Sequence, residues 1–339
     1  MKKTTLKEIA EILGISISTV SKALKDYPDV SAKTKKKVID LANSLHFSPN
    51  TFAQSLRSRE SKTIGVIIPS MVHYYFSNIL DAILKECEKK GYMVIIMQSN
   101  EDYELERKQI SLLLNKGVDG ILISLANSTK DIKHLQRVID YGIPLVLFDK
   151  ITKLIKCSRV IINDIRASYD VVTHLINKGY ERIAYFRGGL NPQNSIDRFL
   201  GYKKALEDNG IAYDSSLVYL CPNANYDEGY ANAKKLIEKD KFNVDAIYAI
   251  TDLTAIGVIN YLNEKRIKIP EEIAVFGFSN WFMSSVISPT LSSVEQNPQN
   301  LGEKSVGLLF KEIESRQKGE DFKYETITID TDLILRKSS

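Results

Sequence analysis

The stretch TLKEIAEILGISISTVSKAL, residues 5–24, decides how the chain is built at its start. Leu6, Ile9, Ala10 and Leu13 recur at helical spacing and define one apolar face. Gly14 follows, a residue that accepts the positive φ of a tight turn. Ser16 then offers a hydroxyl to cap a second helix, in which Val20, Ala23 and Leu24 face inward. Its opposite face collects Ile17, Ser18, Ser21, Lys22 and Lys25. A third helical pattern covers residues 31–45, with Ser31 as cap and Val38, Leu41, Ala42 and Leu45 inward. Lys33, Lys35, Lys36 and Lys37 point outward from it.

Two short helices about a glycine turn, the second with a polar basic face, read as a helix-turn-helix. A helical bundle without a partner has no use for Ile17 outside, because Ile15, Val20 and Leu24 already fill the core. At the start of a recognition helix an apolar group can meet a thymine methyl, and Lys22 can donate to guanine. Thr5, Thr19, Ser21, Ser31 and Thr34 supply short hydroxyls suited to phosphate oxygens. Charge agrees. Residues 1–62 hold 12 Lys/Arg against 6 Asp/Glu, whereas residues 63–339 hold 34 against 36. The positive excess sits wholly in the head, where a polyanion would be met.

Residues 50–59, NTFAQSLRSR, join head to body. Asn50 can cap a helix there and Ala53 and Leu56 share a face, but under three turns is too short to be stable alone. From Thr63 the chain alternates apolar runs (TIGVIIP, YMVIIM, GILIS, PLVLFD) with helical patterns over residues 76–90, 104–115 and 131–141. That alternation predicts parallel sheets covered by helices. The plan then repeats. KGY at 90–92 returns at 178–180, VDGI at 118–121 returns as VDAI at 244–247, and Ile143-Pro144 is answered by Ile269-Pro270. Two related α/β lobes should enclose a cleft at the carboxyl ends of their strands.

Polar and aromatic residues that follow strands are the candidates to line it. They are Tyr75 and Phe76 after the first strand, Asp149 after the fourth, Asn194 and Arg198 in GGLNPQNSIDRFLGY, Asp252 after DAIYAIT, and Ser279, Asn280 and Trp281 after IAVFGF. An arginine with carboxylate and amide groups around an aromatic face suits hydroxyl-rich ligands. Trp281, the only tryptophan, and the Tyr75–Phe76 pair also suit plain packing.

The head, linker and body together resemble the lactose-repressor (LacI/GalR) family of transcriptional regulators across essentially the whole chain. The resemblance implies a small all-α DNA-binding head, residues 1–48, a hinge helix and linker, 49–61, and an effector-binding and dimerisation body, 62–339. That body would be a two-lobed α/β unit with parallel sheets, like periplasmic binding proteins. Its N-lobe would take about 62–161 and 294–320, its C-lobe about 162–292 and 323–339, with chain crossings near 161–163, 292–294 and 320–323. By the same resemblance Ile17, Ser18 and Lys22 read bases, and Asn50 joins the phosphate contacts. Ala53, Gln54 and Leu56 belong to the minor-groove hinge, where Leu56 inserts at the operator centre. Phe76, Arg198 and Asp252 match positions that commonly line the effector pocket. Lys22 stands where many relatives carry Arg, and it lacks the bidentate fork. Ser279 replaces an Asp frequent in relatives, so no relative's ligand transfers directly.

The expected protein is a cytoplasmic homodimeric repressor that binds a pseudo-palindromic operator and a carbohydrate-like effector. Activation at some targets is the nearest alternative. The chain ends in DLILRKSS, where the family core ends, so a dimer is expected. No apolar run approaches the roughly 18 residues of a membrane span, no export signal opens the chain, and three distant cysteines fit reduced thiols. No P-loop, G-x-G-x-x-G, H-E-x-x-H or C-x-x-C occurs, so no enzyme activity, cofactor or metal is expected. An exported solute-binding protein would lack the basic head, and a sugar-metabolising enzyme joined to such a head is a more distant reading.

Overall fold

The computed structural model describes residues 4–45, 47, 60–72, 74–240 and 243–339. The linker positions Asn50, Ala53, Gln54 and Leu56 lie outside the described residues. Head and body form two separate compact units, divided after Ser61.

The head is three helices, α1 (Leu6–Leu13), α2 (Ile17–Leu24) and α3 (Ala32–Ser44). Thr5 and Glu8 close a capping box on α1, with Glu8 N–H donating to the Thr5 hydroxyl at 3.2 Å and Thr5 N–H to the Glu8 carboxylate at 2.8 Å. Gly14 ends α1 at φ 62°, the left-handed conformation that a side chain disfavours. Ser16 and Ser31 cap α2 and α3. Ile9, Ala10, Val20, Ala23, Val38 and Ala42 form the buried centre.

The body begins with β1 (Thr63–Ile68), α4 (Tyr74–Lys89), β2 (Met93–Gln98), α5 (Tyr103–Lys116), β3 (Gly120–Ile123), α6 (Lys133–Asp140), β4 (Leu145–Phe148) and β5 (Ser158–Ile162). It continues with α7 (Asp164–Asn177), β6 (Ile183–Arg187), α8 (Gln193–Asp208), β7 (Val218–Leu220), α9 (Tyr226–Lys234), β8 (Ala246–Ala249), α10 (Asp252–Glu264) and β9 (Ala274–Phe276). Last come β10 (Ser293–Glu295), α11 (Pro298–Lys318), β11 (Thr326–Ile329) and β12 (Asp332–Ile334). One lobe holds a six-stranded parallel sheet in the order β11-β5-β4-β3-β1-β2, the other a four-stranded parallel sheet in the order β7-β6-β8-β9. Helices cover both faces of such sheets, so strands β1, β3, β4 and β8 are buried along their length and read as unbroken apolar runs.

One boundary needs correction. Residues 323–339 were expected wholly in the second lobe, yet β11 pairs in parallel with β5 of the first, Thr326 opposite Arg159 and Ile329 opposite Ile162. The third crossing therefore falls between β11 and β12 rather than at 320–323. The alternation Thr-Ile-Thr-Ile suits an edge strand of either sheet, and the polar run before it imitates a crossing. β10 and β12, next to the second and third crossings, pair antiparallel with Val294 opposite Leu333.

Cys87, Cys157 and Cys221 are buried and unpaired, and burial pushes the Cys87 and Cys221 thiols up to about 12. Among the described residues no helix is long and apolar enough to cross a membrane.

Gly201 governs how the second lobe closes around its site. A Cβ there would lie 2.3 Å from the Ile165 carbonyl oxygen of α7, so only glycine lets α8 approach α7 this closely. Gly201→Ala should destabilise the protein by about 1–3 kcal/mol through overpacking. An unchanged denaturation midpoint in urea would show that the two helices separate freely.

Candidate functional site

On the head, Ile17 and Ser18 are exposed, and so is Lys22. Ser21 is half-buried. The Ser16 hydroxyl lies 2.7 Å from the Ser18 hydroxyl and 2.8 Å from that of Thr19. Thr5 and Ser31 each accept a cap bond from a backbone N–H, and Ser31 also meets the Thr34 hydroxyl at 2.9 Å. A hydroxyl that accepts a cap bond keeps its proton for a further acceptor. Lys22 is ion-paired with Asp29. Their hydrogen bond raises the lysine and lowers the carboxyl from their ordinary values. Lys33, Lys36 and Lys37 are exposed, but Lys35, expected outward with them, folds back onto Asp26 at 2.6 Å.

In the body, strand ends from both lobes surround a cavity of about 140 Å³. Tyr75, Phe76, Asp149, Asn194, Arg198, Asp252, Ser279 and Trp281 all line it, whereas Asn280, which also follows the IAVFGF strand and was expected there, does not. Four non-glycine lining residues hold positive φ: Glu101 at 59°, Asp149 at 56°, Ala224 at 50° and Ser279 at 128°. Such strain persists only where the surroundings over-determine it, and it gathers at ligand sites.

Arg198 is 4% exposed. Its Nε donates to Asp164 at 2.7 Å, Nη1 to the Ile250 carbonyl at 3.0 Å and Nη2 to Gln296 at 3.4 Å. Its guanidinium also lies 3.6 Å from the centre of the Phe278 ring. Three of its five N–H hydrogens are thereby used. Burial pushes the Asp164 carboxyl up to about 7, against the opposing pull of Arg198. Asp252 serves the protein itself. It accepts from Trp281 N–H at 2.6 Å, from Ser284 at 2.7 Å and from the Ser293 hydroxyl, so it fastens the Trp281 loop to a crossing strand.

Asp149 is held more loosely, with the Ser124 hydroxyl 3.3 Å away, and burial raises its carboxyl above the usual range. The Tyr75 hydroxyl is buried facing the Asp149 carboxylate, and the Ser195 Oγ is buried without a hydrogen-bond partner among the described residues. Ser279 accepts from Gln296 at 3.1 Å. Asn194 accepts from the N–H of Ser195 at 2.8 Å, and Phe76 packs edge-on to Tyr75 with centroids 5.5 Å apart. At the rim Lys150 pairs with Glu101 and donates to Asn127 at 2.7 Å. Asn127 in turn donates to the Pro222 carbonyl of the other lobe at 3.0 Å.

Sequence reasoning missed Asp164, Gln296, Ser195, Glu101, Lys150 and Asn127. Two of these stood beside residues it chose: Lys150 follows Asp149, and Ser195 follows Asn194. Asp164 begins α7 straight after a strand, the same position that drew attention to Asp252.

A helix-turn-helix unit followed by a two-lobed body with a polar cleft defines a class, the ligand-responsive DNA-binding regulators of bacteria. Within it, residues 5–50 match the model of bacterial regulatory proteins of the lacI family, and residues 61–335 match that of periplasmic binding proteins and the sugar-binding domain of the LacI family. The chain belongs to the LacI family. It is 29% identical over 313 residues, 92% of each chain, to the transcriptional repressor PurR of Vibrio atlanticus. Its fold matches the lac repressor dimer bound to operator and an anti-inducer, with TM-score 0.87 over 99% of each chain at 24% identity. A LacI-family regulator from Enterococcus faecium with bound ribose matches 82% of this chain and 98% of its own at 26% identity and TM-score 0.71.

Two outcomes are expected from these contacts. Arg198→Ala should lower the unfolding free energy by about 3–5 kcal/mol, because it strands a buried carboxylate. The Arg198→Ala, Asp164→Ala pair should recover part of that loss, whereas strictly additive losses in a double-mutant cycle would mean the two side chains are not coupled. Asp29→Asn frees Lys22 and removes a negative charge from the head. The slope of log K against log salt on duplex DNA should then steepen by about 0.9, the value for one more phosphate contact. Fluorescence anisotropy over a salt series measures it, and an unaltered slope would show that Asp29 does not restrain Lys22.

Proposed function

We propose that this protein is a homodimeric transcriptional repressor whose grip on its operator is set by a small carbohydrate-like effector bound between the lobes. Each head reads one half of a pseudo-palindromic site, with Ile17, Ser18 and Lys22 on base edges. Thr5, Thr19, Ser21, Ser31, Thr34 and Asn50 contact phosphates. Ala53, Gln54 and Leu56 enter the minor groove. The likeness to PurR, named a repressor, supports repression, and the ribose in the E. faecium regulator supports a sugar in the cleft.

One observation carries the effector reading. Two buried hydroxyl groups, on Ser195 without a partner among the described residues and on Tyr75 facing only Asp149, lie in the wall of the same cavity as the two N–H hydrogens that Arg198 has left. Buried polar groups seek partners, and a ligand with several hydroxyls supplies them. Closure around that ligand moves the lobes, and linkage then requires effector and operator to change each other's affinity by the same factor.

Ser195→Ala removes a group that holds no partner and should keep the parent denaturation midpoint, whereas Tyr75→Phe removes a hydroxyl facing Asp149 and should cost no more than about 1 kcal/mol. Each should weaken effector binding about tenfold, the loss of one hydrogen bond to a buried ligand. In the operator assay the effector response should shift by that factor. Unchanged effector affinity in both variants would place the ligand elsewhere. Leu56→Ala, run alongside, should weaken operator binding far more than binding to random duplex, and equal losses on both would remove the wedge role.

A further inference from the structure

Ion pairing in the cleft points to the charge class of its ligand. The cavity is lined by three carboxylates, Glu101, Asp149 and Asp252, and by two cations, Lys150 and Arg198. Neither cation is free. Lys150 is held by Glu101 at the rim, and Arg198 is held by Asp164 from behind the cavity wall. With Asp164 included, four carboxylates face two cations, and the balance is two negative charges. With Asp164 taken as neutral, one negative charge remains.

The carboxylates differ in what they have left to offer. Asp252 already accepts three protein hydrogen bonds, from Trp281, Ser284 and Ser293. Asp149 accepts one, from Ser124 at 3.3 Å. The spare capacity of the site is therefore an acceptor with negative charge, Asp149, which faces the Tyr75 hydroxyl, together with the Ser195 hydroxyl and the two N–H hydrogens left on Arg198, whose charge Asp164 already balances. Two features oppose this, the two free N–H hydrogens of Arg198 and the start of a helix. The first turn of α8 enters the cavity wall at Asn194 and Ser195 with no side-chain cap from Pro192. Its dipole amounts to roughly half an elementary charge, less than the excess of carboxylate even on the lower count. The first turn of α10 adds nothing positive, because Asp252 itself stands there.

We infer that the effector carries no anionic group: the cleft selects an uncharged, hydroxyl-bearing molecule that donates to Asp149, and it rejects the phosphate ester of the same molecule. This rests on the reading of the cleft as an effector site and adds the charge class to it. A phosphate would be drawn out of water to face Asp149 with both nearby cations already neutralised, and like charges brought together in a desolvated site oppose binding strongly.

Trp281 lines the cavity and is the only tryptophan of the chain, so its fluorescence reports binding directly in the full-length protein. Glucose, ribose and adenosine would be titrated beside glucose 6-phosphate, ribose 5-phosphate and adenosine monophosphate, at equal ionic strength. The neutral member of any pair that binds should do so at least about tenfold more tightly than its phosphate. In Asp149→Asn that ratio should shrink toward one, a change that a purely structural role for Asp149 would not produce. A phosphate ester binding more tightly than its parent, or a ratio unmoved by Asp149→Asn, overturns the charge inference and leaves the cleft as the effector site. Failure of all six compounds to perturb Trp281 at millimolar concentration overturns the effector reading itself.

Discussion

The second lobe is organised around one buried cation. Arg198 stacks on Phe278, pairs with Asp164, and donates to the carbonyl that ends β8 and to Gln296 just beyond β10. A guanidinium has a rigid fork of donors, so it fixes the directions of all these partners at once. Each of them lies on a different segment. The end of a central strand, the start of α7 and the connection between lobes are thereby set by a single side chain. The close approach of α7 and α8 permitted at Gly201 is what brings Asp164 within reach. Replacing the guanidinium with an apolar group would leave a carboxylate in a site that has already shed its water, which is why such a pair matters more for geometry than for net stability.

Much of the fold was legible because it depends on local patterns. Helix faces, the caps at Ser16 and Ser31, the glycine stop at Gly14 and the apolar strands all follow from neighbouring residues. The lining of the cleft was legible for a related reason: ligands in α/β sheets sit where strands end, and strand ends can be found in the sequence. The partners were not. Asp164 lies 34 residues from Arg198 and Gln296 lies 98 away, and nothing local marks either as its companion. The three donors that occupy Asp252 likewise arrive from distant segments, the Trp281 loop and a crossing strand. β11 was misplaced because an edge strand of threonine and isoleucine carries no sign of which sheet it joins.

The head shows how a small unit uses one set of hydroxyls for two ends. Thr5, Ser16 and Ser31 satisfy otherwise unpaired N–H groups at three helix starts, and Ser16 and Ser31 also meet neighbouring hydroxyls. Helix starts are also where the macrodipole favours an anion. Local stability rests on these caps, and under the proposed reading Thr5 and Ser31 would also meet phosphates, so substitution there would confound the two.

The ladder between β10 and β12 has a mechanical meaning. Two of the three chain segments joining the lobes are hydrogen-bonded to one another over Ser293–Glu295 and Asp332–Ile334. A pair of bonded strands bends across its flat face far more easily than it shears along its length. The lobes are therefore tethered by a strap and a single strand, which leaves them one soft rotation and stiffens the others.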